Sequence, residues 1–202
     1  MVEVRGLTRS AFIARSAFAA GALYGTGAVA PLVERALAKG PTDDLGILDF
    51  ALGLETIEAA FYKKALAAKG LSGDVRKAFE EIAGHEDAHA KQLKKTLEQL
   101  GATPSPAPQA SFPGLAGEKA ALSLAIKLEE TGIAAYNGAA ILIESEDLLA
   151  AAGSIVQVEA RHAGALRELA GQDPAPAAFD KGVSPDVTTR KIQPFLKKKG
   201  GA

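Results

Sequence analysis

Cysteine is absent from all 202 residues of the chain. Disulfides, zinc knuckles, iron–sulfur clusters and thiol nucleophiles are thereby excluded, and any metal must be held by carboxylates and imidazoles. Imidazoles are scarce as well: the three His are His85, His89 and His162. Aromatic residues make up only 5%, and runs of β-branched residues are few, whereas hydrophobic residues reach 48% with Ala dominant. Ala and Leu favour helix, so the composition reads as all-α. An excess of positive charge is lacking too. The formal net charge is −1, without the basic footprint of a nucleic-acid binder, so no nucleic-acid partner is expected. The short run Lys197-Lys198-Lys199 reads as a solvated tail.

The length fits one domain with appendages. Residues 1–38 read as an export signal or an N-terminal anchor. Arg5, Arg9 and Arg15 precede an apolar, small-residue stretch over 16–33, which Gly21, Gly25, Gly27 and Pro31 interrupt. Ala36-Leu37-Ala38 then supplies an A-x-A cleavage pattern. Thr8-Arg9-Ser10-Ala11-Phe12-Ile13 resembles a twin-arginine signal with Ser10 where the second Arg belongs, and the general secretory route fits equally. The expected location is therefore exported: periplasmic, extracytoplasmic or secreted. Retention of this segment as a membrane anchor is the alternative.

Four helical stretches are predicted within 39–172, over about 43–69, 72–100, 115–144 and 145–170. Ser72 and Ser145 stand where N-caps belong, and Gly70, Gly101 and Gly171 follow helix ends. The first two helices are joined tightly, as are the last two, so each pair should be an antiparallel hairpin. Between the pairs lies a linker with four Pro, at 104, 106, 108 and 113. A helix of about 27 residues spans ~40 Å, and an extended linker of about 14 residues reaches ~46 Å. The linker can cross the whole bundle, which is the ferritin-like connectivity of a four-helix bundle with one long crossover. Residues 173–202 form a Pro- and Ala-rich tail expected to pack outside the bundle through Phe179 and Phe195.

The two halves repeat each other. Leu54-Glu55 is followed by Tyr62, and Leu128-Glu129 by Tyr136 at the same interval. Then come Glu86-Asp87-Ala88-His89 and Glu159-Ala160-Arg161-His162. One internal duplication accounts for all of this. Residues i and i+3 share a helix face, so Glu86 with His89, and Glu159 with His162, can address one ion together. Glu55 and Glu129 come from the partner helices of the hairpins. Four carboxylates nearly balance two divalent cations, and buried acids need such partners. One Glu from each of two helices plus a Glu-x-x-His from each of the other two is the dinuclear carboxylate arrangement. Glu58, one turn beyond Glu55, is a candidate seventh ligand, although its repeat counterpart is Gly132. Tyr62 and Tyr136 are candidates for holding ligands or for electron transfer, against the plainer role of core aromatics. His85-Glu86-Asp87-Ala88-His89 also matches H-E-x-x-H of zinc metalloproteases. It lacks the following G-x-x-H extension and any strand-rich subdomain, so protease stays a remote alternative, and His85 is left as an extra.

The run Leu128-Glu129-Glu130-Thr131-Gly132-Ile133-Ala134-Ala135-Tyr136-Asn137-Gly138-Ala139-Ala140 resembles the third-helix signature of ferritin-like proteins of the desiccation-related branch. Phe112-Pro113, Ala178-Phe179-Asp180 and Gln193-Pro194-Phe195 are similar to that family's pattern too. The ligand pattern is shared with rubrerythrins and ferritins. The resemblance implies a ferritin-like fold with two iron ions (manganese or a mixed pair being possible) at Glu55, Glu86, His89, Glu129, Glu159 and His162. The function expected is ferroxidase or peroxide-reducing protection against oxidative or desiccation stress. The partners would be iron, peroxide or dioxygen, and a separate electron donor, since the chain carries no Cys₄ module of its own; a homodimer is compatible. A non-enzymatic metal-binding stress protein is the alternative.

Overall fold

Polar side chains start the helices where the sequence places them. The computed structural model describes residues 43–197, and among these it shows five α-helices and one 3₁₀ turn, with no strand beyond an isolated bridge. The expected export segment and the end of the Lys run lie outside the described residues. Helix α1 (Asp44–Leu66) follows Asp43, whose carboxylate accepts from Gly46 N at 2.6 Å. Helix α2 (Gly73–Gln99) is capped by Ser72, and α4 (Glu146–Leu169) by Ser145. Each such cap contributes about 1 kcal/mol. Helix α3 (Gly117–Ala139) has no side-chain cap.

The structure shortens the third predicted helix. It ends at Ala139, and residues 140–145 turn instead of continuing the helix. The reason lies on α1: the Asp44 carboxylate accepts from Glu144 N at 2.8 Å and from Ser145 N at 2.9 Å, fixing these two amides outside the helical ladder.

Helices α1 and α2 pack along each other, as do α3 and α4, while α2 and α4 face each other more sparsely. The Pro-rich crossover runs back along α1, where Ser105 N donates to Asp49 at 2.8 Å. After it, the tail forms α5 (Pro185–Ile192) and a 3₁₀ turn (Gln193–Phe195). Its last residues pair with the crossover: Ser111 N donates to Phe195 O, and Lys197 N to Gln109 O, both at 2.8 Å. Of the two expected tail anchors, Phe195 is buried beside Phe112, but Phe179 is 67% exposed. The second anchor is backbone instead. Val183 N donates to Ala134 O at 2.8 Å, and a Cβ at Gly138 would collide with the Val183 backbone.

Two apolar clusters fill the bundle on either side of a polar layer. One is aromatic, built on Phe61, Tyr62, Phe79 and Phe112; the other holds Leu48, Leu93, Leu97, Tyr136 and Ile155. No helix of the described residues is long and apolar enough to cross a membrane.

Candidate metal centre

The polar layer collects one carboxylate from each helix. Glu55, Glu86, Glu129 and Glu159 are fully buried, and Glu58 nearly so. The i, i+3 spacing then brings an imidazole beside each of the two later acids. His89 Nδ1 lies 3.2 Å from Glu55, 3.4 Å from Glu159 and 3.6 Å from Glu86. His162 Nδ1 lies 3.1 Å from Glu86, 3.2 Å from Glu129 and 3.9 Å from Glu159. All six residues singled out from the repeat therefore meet in one place. They form two groups whose potential ligand atoms lie within 4.8 Å of one another: Glu55, Glu86, His89 and Glu159, and Glu86, Glu129, Glu159 and His162. Glu86 and Glu159 belong to both.

The donor chemistry suits a pair of cations. Neither oxygen of Glu86 or of Glu159 accepts a hydrogen bond, although all four are buried. Buried acceptors left without donors are costly, and these four belong to the two carboxylates common to both groups. Oxygen and imidazole donors in this number fit iron or manganese.

The electrostatics point the same way. Burial raises Glu55 and Glu159 to about 8, against the lowering effect of His89 on each and with the help of neighbouring carboxylates. Burial also raises Glu58 and Glu129. Glu86 feels the same burial, but contacts with His162 and His89 outweigh it and hold it at about 2. Burial tends to lower both imidazoles. For His89, Glu159, Glu55 and Glu86 outweigh it and lift the ring to about 12; for His162, Glu129 and Glu86 lift it to about 10. Protons thus do part of the neutralising that two cations would do.

The tyrosines hold the outer carboxylates, and they do so across the repeat. Tyr136 on α3 donates to Glu55 Oε1 of α1 at 2.5 Å, and Tyr62 on α1 donates to Glu129 Oε1 of α3. A separation of seven residues is ~10 Å along a helix, too far for a Tyr to reach the Glu of its own half. Sequence spacing alone gave no sign of this exchange of partners.

His85 also has a place. Its Nδ1 lies 2.9 Å from His162 Nε2, with the rings nearly parallel. His162 then faces the carboxylates with Nδ1 and His85 with Nε2, so His85 can fix the tautomer that leaves Nδ1 a lone pair. Neither candidate group contains both His85 and His89, so the two His of the H-E-x-x-H pattern serve different purposes. The pairing joins residues 77 apart, which no local pattern reveals.

Glu58 points inward rather than to solvent. Its oxygens occupy the space in front of Gly132: a Cβ there would stand 3.1 Å from Glu58 Oε1 and from Glu159 Oε2. The missing side chain in the second half makes room for the extra acid of the first. A recess of about 400 Å³ between α2 and α4 reaches His89 and His162; Ala78, Ile82, Ala88 and Val158 line it alongside Glu81, His85 and Arg161.

Residues 43–172 match the family described as "Ferritin-like domain". Among solved structures, the chain is similar to a conserved hypothetical protein, rv2844, from Mycobacterium tuberculosis, with a TM-score of 0.56 and 20% identity over 66% of this chain and 94% of that one. At that identity the likeness is one of fold. No curated protein matches the sequence.

Proposed function

The chain belongs to the ferritin-like domain family, and we propose that it is an exported di-iron protein that oxidises ferrous iron or reduces peroxide. The observation that carries this reading is the pair of ligand groups sharing the buried Glu86 and Glu159. Glu55 and His89 would complete one ion's ligands, Glu129 and His162 the other's, with Glu58 as a further carboxylate for either. A ferrous pair held there would supply electrons to peroxide or dioxygen.

The chain's own residues supply the remainder. Tyr136 and Tyr62 fix the rotamers of Glu55 and Glu129 by donating to one oxygen each, leaving the other oxygen for a cation. His85 orients His162. Burial and the neighbouring carboxylates raise Glu58, which favours a proton held on its carboxyl beside the layer. The recess between α2 and α4, which reaches His89 and His162, would be the route for ions and peroxide. Without cysteine in the chain, re-reduction would fall to a separate donor protein or to ferrous iron itself.

The test is turnover. The full chain would be loaded with ferrous iron without oxygen, then given peroxide or air with excess reductant while absorbance between roughly 300 and 700 nm is followed. Repeated oxidation and recovery, lost in Glu86→Ala/Glu159→Ala, is the expected outcome. A single slow oxidation with full metal retention would favour the non-enzymatic metal-binding protein instead.

A further inference from the structure

The duplication is broken at two apolar positions, and a cavity stands where it breaks. Counting from the paired acids, Phe61 is six residues after Glu55, and Ala135 is six after Glu129. Phe79 is seven before Glu86, and Ala152 is seven before Glu159. In the first half both phenyl rings are fully buried and pack on Tyr62, at 5.1 Å for Phe61 and 5.2 Å for Phe79. In the second half Tyr136 has two methyl groups in the corresponding positions. Both of those alanines line a cavity of about 470 Å³.

The lining is consistent in character. Ile47, Leu48, Leu93, Ile143, Leu148 and Ile155 form much of its wall, and no Asp, Glu, Lys or Arg contributes. His89 and Tyr136 also line it, the first a member of one ligand group and the second the donor to Glu55. The space opens to solvent between α2 and α4, where Ala88, Gln92, Ala151 and Ser154 on its rim are exposed. It falls in the range of small-molecule sites, ~300–1,000 Å³. Apolar walls hold water poorly but accept hydrocarbon, as cavities lined by Leu, Ile and Phe do.

We infer that this cavity is a binding site for a neutral apolar molecule of one- or two-ring size, which fills the space that two phenyl groups fill at the other end of the bundle. The site holds its occupant against His89 and Tyr136, on the side of the metal layer opposite the aromatic cluster. As a ligand site it stands on packing alone. That the occupant is a substrate of the metal centre rests on the function proposed above.

The experiment is calorimetric titration of the full chain, metal-free and iron-loaded, with toluene and 1-naphthol, and with benzoate as the charged comparison. Saturable one-to-one binding is expected for the neutral probes in the metal-free protein, at least tenfold tighter than for benzoate. Ala135→Phe/Ala152→Phe restores the packing of the first half and should weaken binding at least tenfold while keeping the helical circular dichroism of the parent. Ala152→Phe alone serves if the double variant does not fold. Absence of saturable binding in the folded parent, or unchanged binding in a folded filled variant, would overturn the inference. Because the metal-free arm needs no ion, its outcome is separate from that of the turnover test.

Discussion

The carboxylate of Glu58 occupies the space that a side chain at Gly132 would need: a Cβ on Gly132 would lie 3.1 Å from Glu58 Oε1. The two residues are counterparts in the internal repeat, so the second half gives up a side chain where the first half carries an additional acid. This asymmetry can be tested with alanine. Gly153 lies inside α4 with nothing near its missing Cβ, so Gly153→Ala should stabilise by about 1 kcal/mol, the helix-propensity difference. Gly132→Ala gains the same term, but it crowds Glu58 and Glu159, and overpacking costs about 1–3 kcal/mol. Chemical denaturation should show Gly153→Ala more stable than the parent and Gly132→Ala no more stable, with weaker metal retention only in the latter. Equal stabilisation by both would mean that Glu58 does not need that space.

His85 should matter to one ion and not to the other. Loss of a hydrogen-bond partner to a metal-ligating His typically costs 10–100-fold in affinity. His85→Ala should therefore weaken one of two binding steps by that factor, and His85→Gln should restore part of it. Competition with a metal chelator, read as two separate steps, measures this. Equal weakening of both steps would contradict the link to His162.

Tyr62→Phe and Tyr136→Phe each remove one donor to a buried carboxylate. Leaving a buried acceptor unsatisfied costs about 1–3 kcal/mol. Each variant should melt lower by that equivalent. Thermal melts in chelator provide the check, and parent-like stability in both would show that the hydroxyls hold nothing.

The pH response has a definite sign. In the metal-free chain burial raises Glu55 and Glu159 from 4.5 to about 8, and the surrounding carboxylates raise His162 and His89 from 6.5 to about 10 and 12. A raised folded-state value contributes stability that is complete below the unfolded value and lost as pH rises through the folded one. Glu86, held at about 2, acts oppositely, and its contribution is lost only as pH falls through the range between 4.5 and 2. The metal-free midpoint of unfolding should therefore decline from pH 5 toward pH 9. Metal binding displaces the same protons, so the added stability from metal should grow over that interval. Melts across this range, with and without ferrous or manganous ion, decide it; a metal-free midpoint that rises with pH would contradict the proton-loaded layer.

Much of this architecture was legible because its signals are local. Glu86 with His89, and Glu159 with His162, are fixed by helical spacing, and Ser72, Ser145 and the glycines after the helices announce the ends. The Pro-rich linker is long enough to imply the crossover. What escaped were relationships between helices. The exchange of Tyr62 and Tyr136 between halves, the pairing of His85 with His162 and the capping of residues 144 and 145 by Asp44 each join residues far apart in sequence. Phe179 looked like an anchor by its type, yet the tail docks through the backbone of Val183 against Gly138, which no hydrophobic pattern records.

The most direct measurement is metal content. The full chain, loaded anaerobically with ferrous iron and freed of excess, should hold two ions per chain by elemental analysis. Glu86→Ala/Glu159→Ala, which removes both shared carboxylates, should hold none tightly while remaining helical. One ion or fewer in the parent, or two ions in the variant, would contradict a dinuclear centre in this bundle.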